Sequence, residues 1–224
     1  MGRALNRRRE SSYNVAMISD TRRARMVEVA AARLGRVRCA VEAVHHRHNM
    51  SAILRTCDAL GIHHVHLVAR RRQKISQGPS RGAERWLALH HHAEAAEGVT
   101  ALREAGFRIY VADLGRNAVV PEAIPVDEPV CLWFGAELVG VSDEAREAAD
   151  GVVELPMHGF AQSLNVSVAA ALALRPVAEA ARSLGAAAFL PETERHALLA
   201  TWIAREEAYR QSVTARAPTG RTNG

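Results

Sequence analysis

One five-residue string limits the fold of this chain more than any other: Val130-Cys131-Leu132-Trp133-Phe134. It is apolar at every position, and a strand without polar alternation is one buried on both faces. Strands of that kind belong to parallel sheets covered by helices. The rest of the chain supplies the other layers. Segments 37–44, 65–68, 107–112 and 152–155 read as further strands. Between them the spacing predicts helices over 50–60, ended by Gly61, over 94–105, and over 166–174, a stretch of mostly small residues. Ser142 caps one more short helix, with Asp143 and Glu144 at its positive end. Segment 73–83 carries Ser, Gly and Pro and reads as a loop. This alternation specifies an α/β fold with a parallel sheet flanked by helices.

Two more helices lie outside that alternation. Ser19 or Asp20 caps the first, whose stripe is Met26, Val29, Ala30 and Leu34, and Gly35 stops it. Pro191 opens the last, with Leu198, Leu199, Trp202 and Ile203 on one face. The expected divisions are a basic disordered arm (1–18), an N-terminal helix (19–36), the main domain (37–182), a C-terminal helical extension (183–210) and a disordered tail (211–224).

Hydrophobic residues make up 48% of the 224, enough for a sizeable core. No run of about 18 apolar residues occurs, so no membrane span is expected. The first residues lack the apolar stretch of a secretory signal. Cys39, Cys57 and Cys131 are odd in number and widely spaced, which reads as reduced thiols in the cytoplasm. Net charge is +5. Arg3, Arg7, Arg8, Arg9, Arg22, Arg23, Arg25, Arg33, Arg36 and Arg38 crowd the N-terminal end, and Arg70, Arg71, Arg72 and Lys74 form a second run. Either this is a solvated face with a loose tail, or it meets a polyanion; the planar arginine fork suits phosphate. Three histidine clusters, His45/His46/His48, His63/His64/His66 and His90/His91/His92, lack the Cys or Asp spacing of a metal site, so no metal is expected.

Three strings stand where ligands gather in open α/β sheets, just past strand ends. The first is HNMSAILRT, with Asn49 near a helix start and Arg55 two turns on; it reads as a cap with a surface arginine, or as a site. The second is FGAELVGVS, in which Gly135 allows close backbone approach and Glu137 is either an exposed acid or a partner for a cation. It is not a dinucleotide fingerprint. The third is LPMHGFAQSLNVSVAAA, where Ser163 and Asn165 open a helix of tiny side chains whose N-terminus offers unpaired N–H groups.

In this order and at similar separations, the three strings resemble the signature motifs of the SPOUT superfamily, in its ribose 2′-O-methyltransferase (SpoU/TrmH) branch. Ser80-Arg81-Gly82-Ala83-Glu84-Arg85-Trp86 resembles a further element, a Gly-containing loop ahead of a basic and an aromatic residue. The resemblance runs from about Thr21 to Tyr209, and its flanking helices look most like those of members that methylate guanosine 18 in the tRNA D-loop. It implies a C-terminal trefoil knot, which topology rules alone would not suggest, S-adenosyl-L-methionine as methyl donor, and a homodimer with the active site at the subunit interface. Carried over by matched position, it assigns donor contacts to Ala112, Gly135, Leu155, Met157 and Leu164. It assigns catalytic roles to Arg55, Asn49, Glu137, Ser163 and Asn165, and RNA contacts to Arg22, Arg23, Arg25 and Arg85. The implied partner is RNA, with tRNA first; neither DNA nor a membrane is expected.

The family places removal of the ribose proton on the residue matching Arg55. A guanidinium normally stays charged. Arg55 therefore either gives up a proton in part, or stays cationic and stabilises developing alkoxide charge while gripping a phosphate. Physical grounds favour the second. One departure bears on the substrate. Where tRNA-modifying members carry a YEAQRQR-like string, this chain reads RPVAEAAR, with Glu179 and Ala181 in place of arginines and Pro176 as a source of a kink. Arg175 and Arg182 stand nearby as substitutes. Ribosomal RNA methylation, including the antibiotic-resistance type, and a non-catalytic knotted RNA-binding protein are the open alternatives.

Overall fold

The computed structural model describes residues 18–44, 46–70, 82–115, 117–136 and 139–216. Contacts divide the chain into two units, 32–190 and the pair 1–31 with 191–224. The larger unit holds six strands: β1 (Val37–Glu42), β2 (His64–Val68), β3 (Ala88–His92), β4 (Arg108–Ala112), β5 (Val130–Phe134) and β6 (Gly151–Val153). All neighbours are parallel, in the order β3-β2-β1-β5-β4-β6. The helices are α1 (Asp20–Ala31), α2 (Arg47–Ala59), α3 (Ala95–Glu104), α4 (Asp143–Glu147), α5 (Val166–Arg182) and α6 (Glu192–Arg216).

β5 explains why its sequence has no polar alternation. Cys131 and Trp133 point into a core with Ala40, Leu102, Ile109, Val111 and Ala145. Val130, Leu132 and Phe134 point into the opposite core, with Val41, Ile53, Leu54, Val166 and Ala170. Each large side chain buried this way contributes about 1.5–3 kcal/mol. α2 and α5 pack together on one face, while α3 reaches β2, β3, β4 and α4 on the other. Buried Ala170, Ala173, Ala178 and Ala181 let α5 lie close to the sheet.

Several expected boundaries move. β3 has no counterpart in the sequence reading: Ala-Leu-His-His-His lacks β-branched residues and forms an edge strand that pairs only with β2. α5 runs past Leu174 and through Pro176 to Arg182, because Val177, Ala178 and Ala181 keep its buried stripe going. The expected edges at 36/37 and 182/183 fall inside the larger unit, where Gly35 N–H donates to the Ala188 carbonyl at 2.9 Å and Leu190 N–H to that of Arg33 at 2.9 Å. Residues 211–216, assigned to the tail, continue α6. The arm over 1–17, loop residues 73–81 and tail residues 217–224 lie outside the described residues.

In the smaller unit α1 and α6 pack together, with Met26, Ala30 and Trp202 buried. Ser19 caps α1: its Oγ accepts from Arg22 N–H at 3.3 Å. Among the described residues no helix is long and apolar enough to cross a membrane. The three cysteines are buried free thiols.

Part of the arginine crowd serves the fold. Arg33 is fully buried, its guanidinium on the Asp58 carboxylate at 2.5 Å and on the Asp58 and Trp86 carbonyls at 3.2 and 3.3 Å. Arg36 donates to the Asp127 carbonyl, and Arg38 lies 4.0 Å above the Phe107 ring. These three are therefore withdrawn from the basic surface that the sequence suggested.

The histidines of β2 and β3 pair with one another. His64 Nδ1 meets His90 Nε2, and His66 Nδ1 meets His92 Nε2, each at 2.9 Å, with His66 stacked on His90 at 4.6 Å. Among the described residues no three His, Cys, Asp or Glu side chains converge on a metal position. Burial, then His90 and Arg38, push His66 down to about 2. Burial, then His64 and Arg33, push His63 down to about 3. Burial, then His64 and Arg38, push His90 down to about 4. In the unfolded chain these groups protonate near 6.5. Below about pH 6.5 the unfolded chain therefore binds more protons than the fold, so stability is complete above that pH and declines on acidification. We expect the urea midpoint to fall between about pH 6.5 and pH 4, with buried His63 and His66 each contributing about 1.4 kcal/mol per pH unit. A midpoint that stays level would show that the cluster is already charged in the fold.

Candidate active site

β1 leads into α2 on one face of the sheet and its neighbour β5 into α4 on the other, so the topological switch lies between them. A cleft of about 260 Å³ opens at the carboxyl ends of β4, β5 and β6. That is close to the lower end of small-molecule pockets, about 300 Å³. Ala112, Asp113 and Leu114 line it after β4, and Phe134, Gly135, Ala136 and Gly140 after β5. Val153, Leu155 and Met157 come from β6 and beyond, and Gln162, Ser163, Leu164, Val166 and Ala169 from the start of α5.

Local sequence explains each wall. Ala136 and Gly140 exchange two backbone hydrogen bonds, at 3.0 and 2.8 Å, which folds the chain after β5 into a tight loop. This brings Gly140 directly over Gly135, where a Cβ would stand 2.1 Å from the Gly140 carbonyl carbon and oxygen. Only glycine fits there. At α5, the Asn165 Oδ1 accepts from the Ser167 N–H at 2.9 Å and from the Ser167 hydroxyl at 2.6 Å, which caps the helix. The Val168 and Ala169 N–H groups donate to the Asn165 carbonyl at 2.9 Å each, so the positive end of the helix dipole stands at Val166, which lines the cleft.

Besides the packing of α2 on α5, a polar contact joins the first motif to the third: Asn165 Nδ2 donates to Asn49 Oδ1 at 3.2 Å, across 116 residues of sequence. Asn49 is not the cap of α2; that position belongs to His46, and Asn49 lies in the first turn. Ala112, Gly135, Leu155, Met157, Ser163 and Leu164 all line the cleft. Arg55 does not. It is exposed on α2, six residues and about 120° of helix rotation from Asn49. Glu137 lies outside the described residues.

Of the arginines assigned to RNA, Arg22 lies 3.8 Å from the buried Glu206 carboxylate and Arg25 pairs with Glu28 at 2.7 Å. Arg23 is exposed. Arg85 lies over the Trp86 ring at 5.4 Å. Arg182, considered as a substitute RNA contact, donates to the carbonyls of Leu60 at 2.7 Å and Ala32 at 3.3 Å. Sequence reasoning missed Asp113 and Gln162. Asp113 directly follows the strand end at Ala112, which the sequence places correctly, but its contact with Arg146 at 2.5 Å and its place on the cleft wall depend on the fold.

Residues 36–175, more than half of the chain, match the SpoU rRNA Methylase family. The chain belongs to this family. It is similar to the tRNA (guanosine(18)-2′-O)-methyltransferase of Escherichia coli strain K12, 37% identical over 187 residues, covering 81% of this chain and 82% of that protein. It is also similar to the enzyme of that name from Thermus thermophilus, 40% identical over 157 residues, 70% of this chain and 81% of that protein. The solved structure of the Aquifex aeolicus TrmH/SpoU tRNA modifying enzyme superimposes with a TM-score of 0.76 at 30% identity, covering 84% of this chain and 97% of that one.

SpoU methylases use S-adenosylmethionine. The residues present fit that donor. The missing Cβ at Gly135 lets the Gly140 backbone pack against it, so Gly135, Ala136 and Gly140 together form one wall of the cleft, and Leu155, Met157 and Leu164 offer apolar cover for a purine.

Proposed function

We propose that this SpoU methylase transfers a methyl group from S-adenosylmethionine to a ribose 2′-hydroxyl of tRNA, at guanosine 18. The observation that carries the reading is that the second and third motifs share one cleft wall, through Gly135, Leu155 and Leu164, while Asn165, between the lining residues Leu164 and Val166, bonds Asn49 of the first motif.

Bound there, the donor supplies a methyl group already activated by a sulfonium. The protein's task is then to align the 2′-oxygen and to deal with its proton. Ser163 and Asn165 hold the cleft edge at the α5 N-terminus, and Asn49, in the first turn of α2, accepts from the Asn165 amide. Arg55, cationic, stabilises the developing alkoxide and grips the adjacent phosphate. Because Arg55 stands off the cleft wall of its own chain, we place its action at the interface of a homodimer. Exposed Val168 and Leu172, one turn apart on α5, support a face that a second copy covers. We also read the chain as cytoplasmic and as carrying the family's C-terminal trefoil knot around the cleft.

Ribosomal RNA is the second reading. It is favoured by exposed Glu179 and by the commitment of Arg182 to backbone carbonyls, which leave this stretch of α5 poor in phosphate-binding groups. Incubation with tritiated donor and either total tRNA or total ribosomal RNA separates them. We expect label in tRNA, mapping to the 2′-oxygen of the D-loop guanosine. Label confined to ribosomal RNA would reject the tRNA assignment, and no label in either would reject the methyl-transfer reading.

A further inference from the structure

Glu42 lies outside the cleft and plays no part in the chemistry above. It is the last residue of β1, beside β5 in the middle of the sheet. A half-buried carboxylate is costly there unless it is hydrogen-bonded. A single oxygen, Oε2, accepts two N–H groups: the indole Nε1–H of Trp133 at 2.9 Å and the backbone N–H of Ser142 at 3.2 Å.

Those donors straddle the loop that closes the cleft. Trp133 lies two residues before Gly135, and Ser142 two residues after Gly140. Gly135, Ala136 and Gly140 between them line the cleft. The paired bonds of Ala136 and Gly140 hold those two residues to each other, but they do not fix where the pair stands on the sheet. The indole is a rigid post: Trp133 is fully buried in β5, and a Cβ on Gly98 of α3 would stand 3.0 Å from its ring. Ser142 is the other stem, held in turn as the cap of α4.

We propose that Glu42 is a positioning residue for methyl-donor binding, its one carboxylate oxygen clamping Trp133 and Ser142 on either side of the wall residues Gly135, Ala136 and Gly140. This rests on the reading of the cleft as the S-adenosylmethionine site. Hydrogen bonds to a charged acceptor are stronger than neutral ones, and losing both lets the Gly135–Gly140 wall drift from the ligand. The clamp acts before any RNA arrives, so it affects donor affinity and leaves RNA affinity alone.

The test is calorimetric titration of the full chain with S-adenosylmethionine, for the wild type, Glu42→Leu and Glu42→Gln. Glu42→Leu removes the acceptor at similar volume and should weaken donor binding about tenfold or more. Glu42→Gln keeps one oxygen that accepts both N–H groups and should return affinity to within about threefold of wild type. Binding of tRNA without donor should stay within about twofold in both. A Leu variant that binds the donor like wild type, or a Gln variant as weak as the Leu variant, overturns the clamp. Should the Leu variant not fold, hydrogen exchange on the unaltered protein decides: the Ser142 amide should be protected and become more so with donor, and rapid exchange there overturns the proposal. A wild-type protein that binds no donor overturns the reading of the cleft itself, a result distinct from equal binding by wild type and variant.

Discussion

Arg55→Lys should lose about 10²–10³-fold in turnover while S-adenosylmethionine affinity stays within about twofold. Both halves follow from where Arg55 stands. It is exposed on α2 and contributes nothing to the cleft wall, so replacing it leaves the donor's surroundings intact. Its proposed work is on the RNA side, where a planar fork grips a phosphate and faces the sugar oxygen at once. Lysine keeps the charge but offers a single point, so it loses the two-pronged geometry. Single-turnover methylation with saturating tRNA, beside calorimetric titration of the donor, separates the two effects. Wild-type turnover in Arg55→Lys would reject the assignment, and a collapse of donor affinity would move Arg55 into the cofactor site. Mixed oligomers add a check on the interface. If Arg55 acts across it, combining an Arg55→Lys chain with one defective in the cleft restores part of the activity.

The second large effect is expected from one methyl group. Gly135→Ala places a Cβ 2.1 Å from the Gly140 carbonyl carbon and oxygen and 2.4 Å from the Val141 nitrogen. All three are backbone atoms in a loop closed by two hydrogen bonds, so no flexible side chain can yield. The loop must break its pairing or lift from β5. Overpacking of this kind costs about 1–3 kcal/mol. Because the displaced atoms form the cleft wall, donor affinity should drop about a hundredfold or more, beyond what the stability loss explains. Gly159→Ala is the matched control, since a Cβ there meets nothing within 4 Å and its φ is not positive. Calorimetry and thermal melting of both variants provide the readout. If Gly135→Ala binds the donor as well as Gly159→Ala does, the wall after β5 is not where the ligand lies.

The pattern of residues was enough for the layers of this fold. Val130–Phe134 announces a strand buried on two sides because every second residue, on either count, is apolar, and burial on both faces needs no partner-specific information. Gly135 and Leu155 sit just past strand ends, where the pattern places ligands; their assignment to a donor, and that of Leu164 at the start of α5, came from the family resemblance, and the structure puts all three in one cleft wall. β3 was not legible, since Ala88–His92 draws its strand character from pairing with β2 rather than from its own side chains. The full length of α5 was hidden by Pro176, whose local penalty is outweighed by burial on either side of it.

Charge was the poorest guide. Arg33 and Arg182 look like any other arginine along the chain, yet one is fully buried on Asp58 and the other holds the Leu60 and Ala32 carbonyls. Glu42 drew no reading from the sequence; its place emerges only when Trp133 and Ser142, 91 and 100 residues away, are found on the same oxygen. Local hydrophobic order is written residue by residue and so survives in one dimension. The pairing of a buried polar group depends on which distant N–H or C=O the fold brings within about 3 Å, and no stretch of sequence carries that distance.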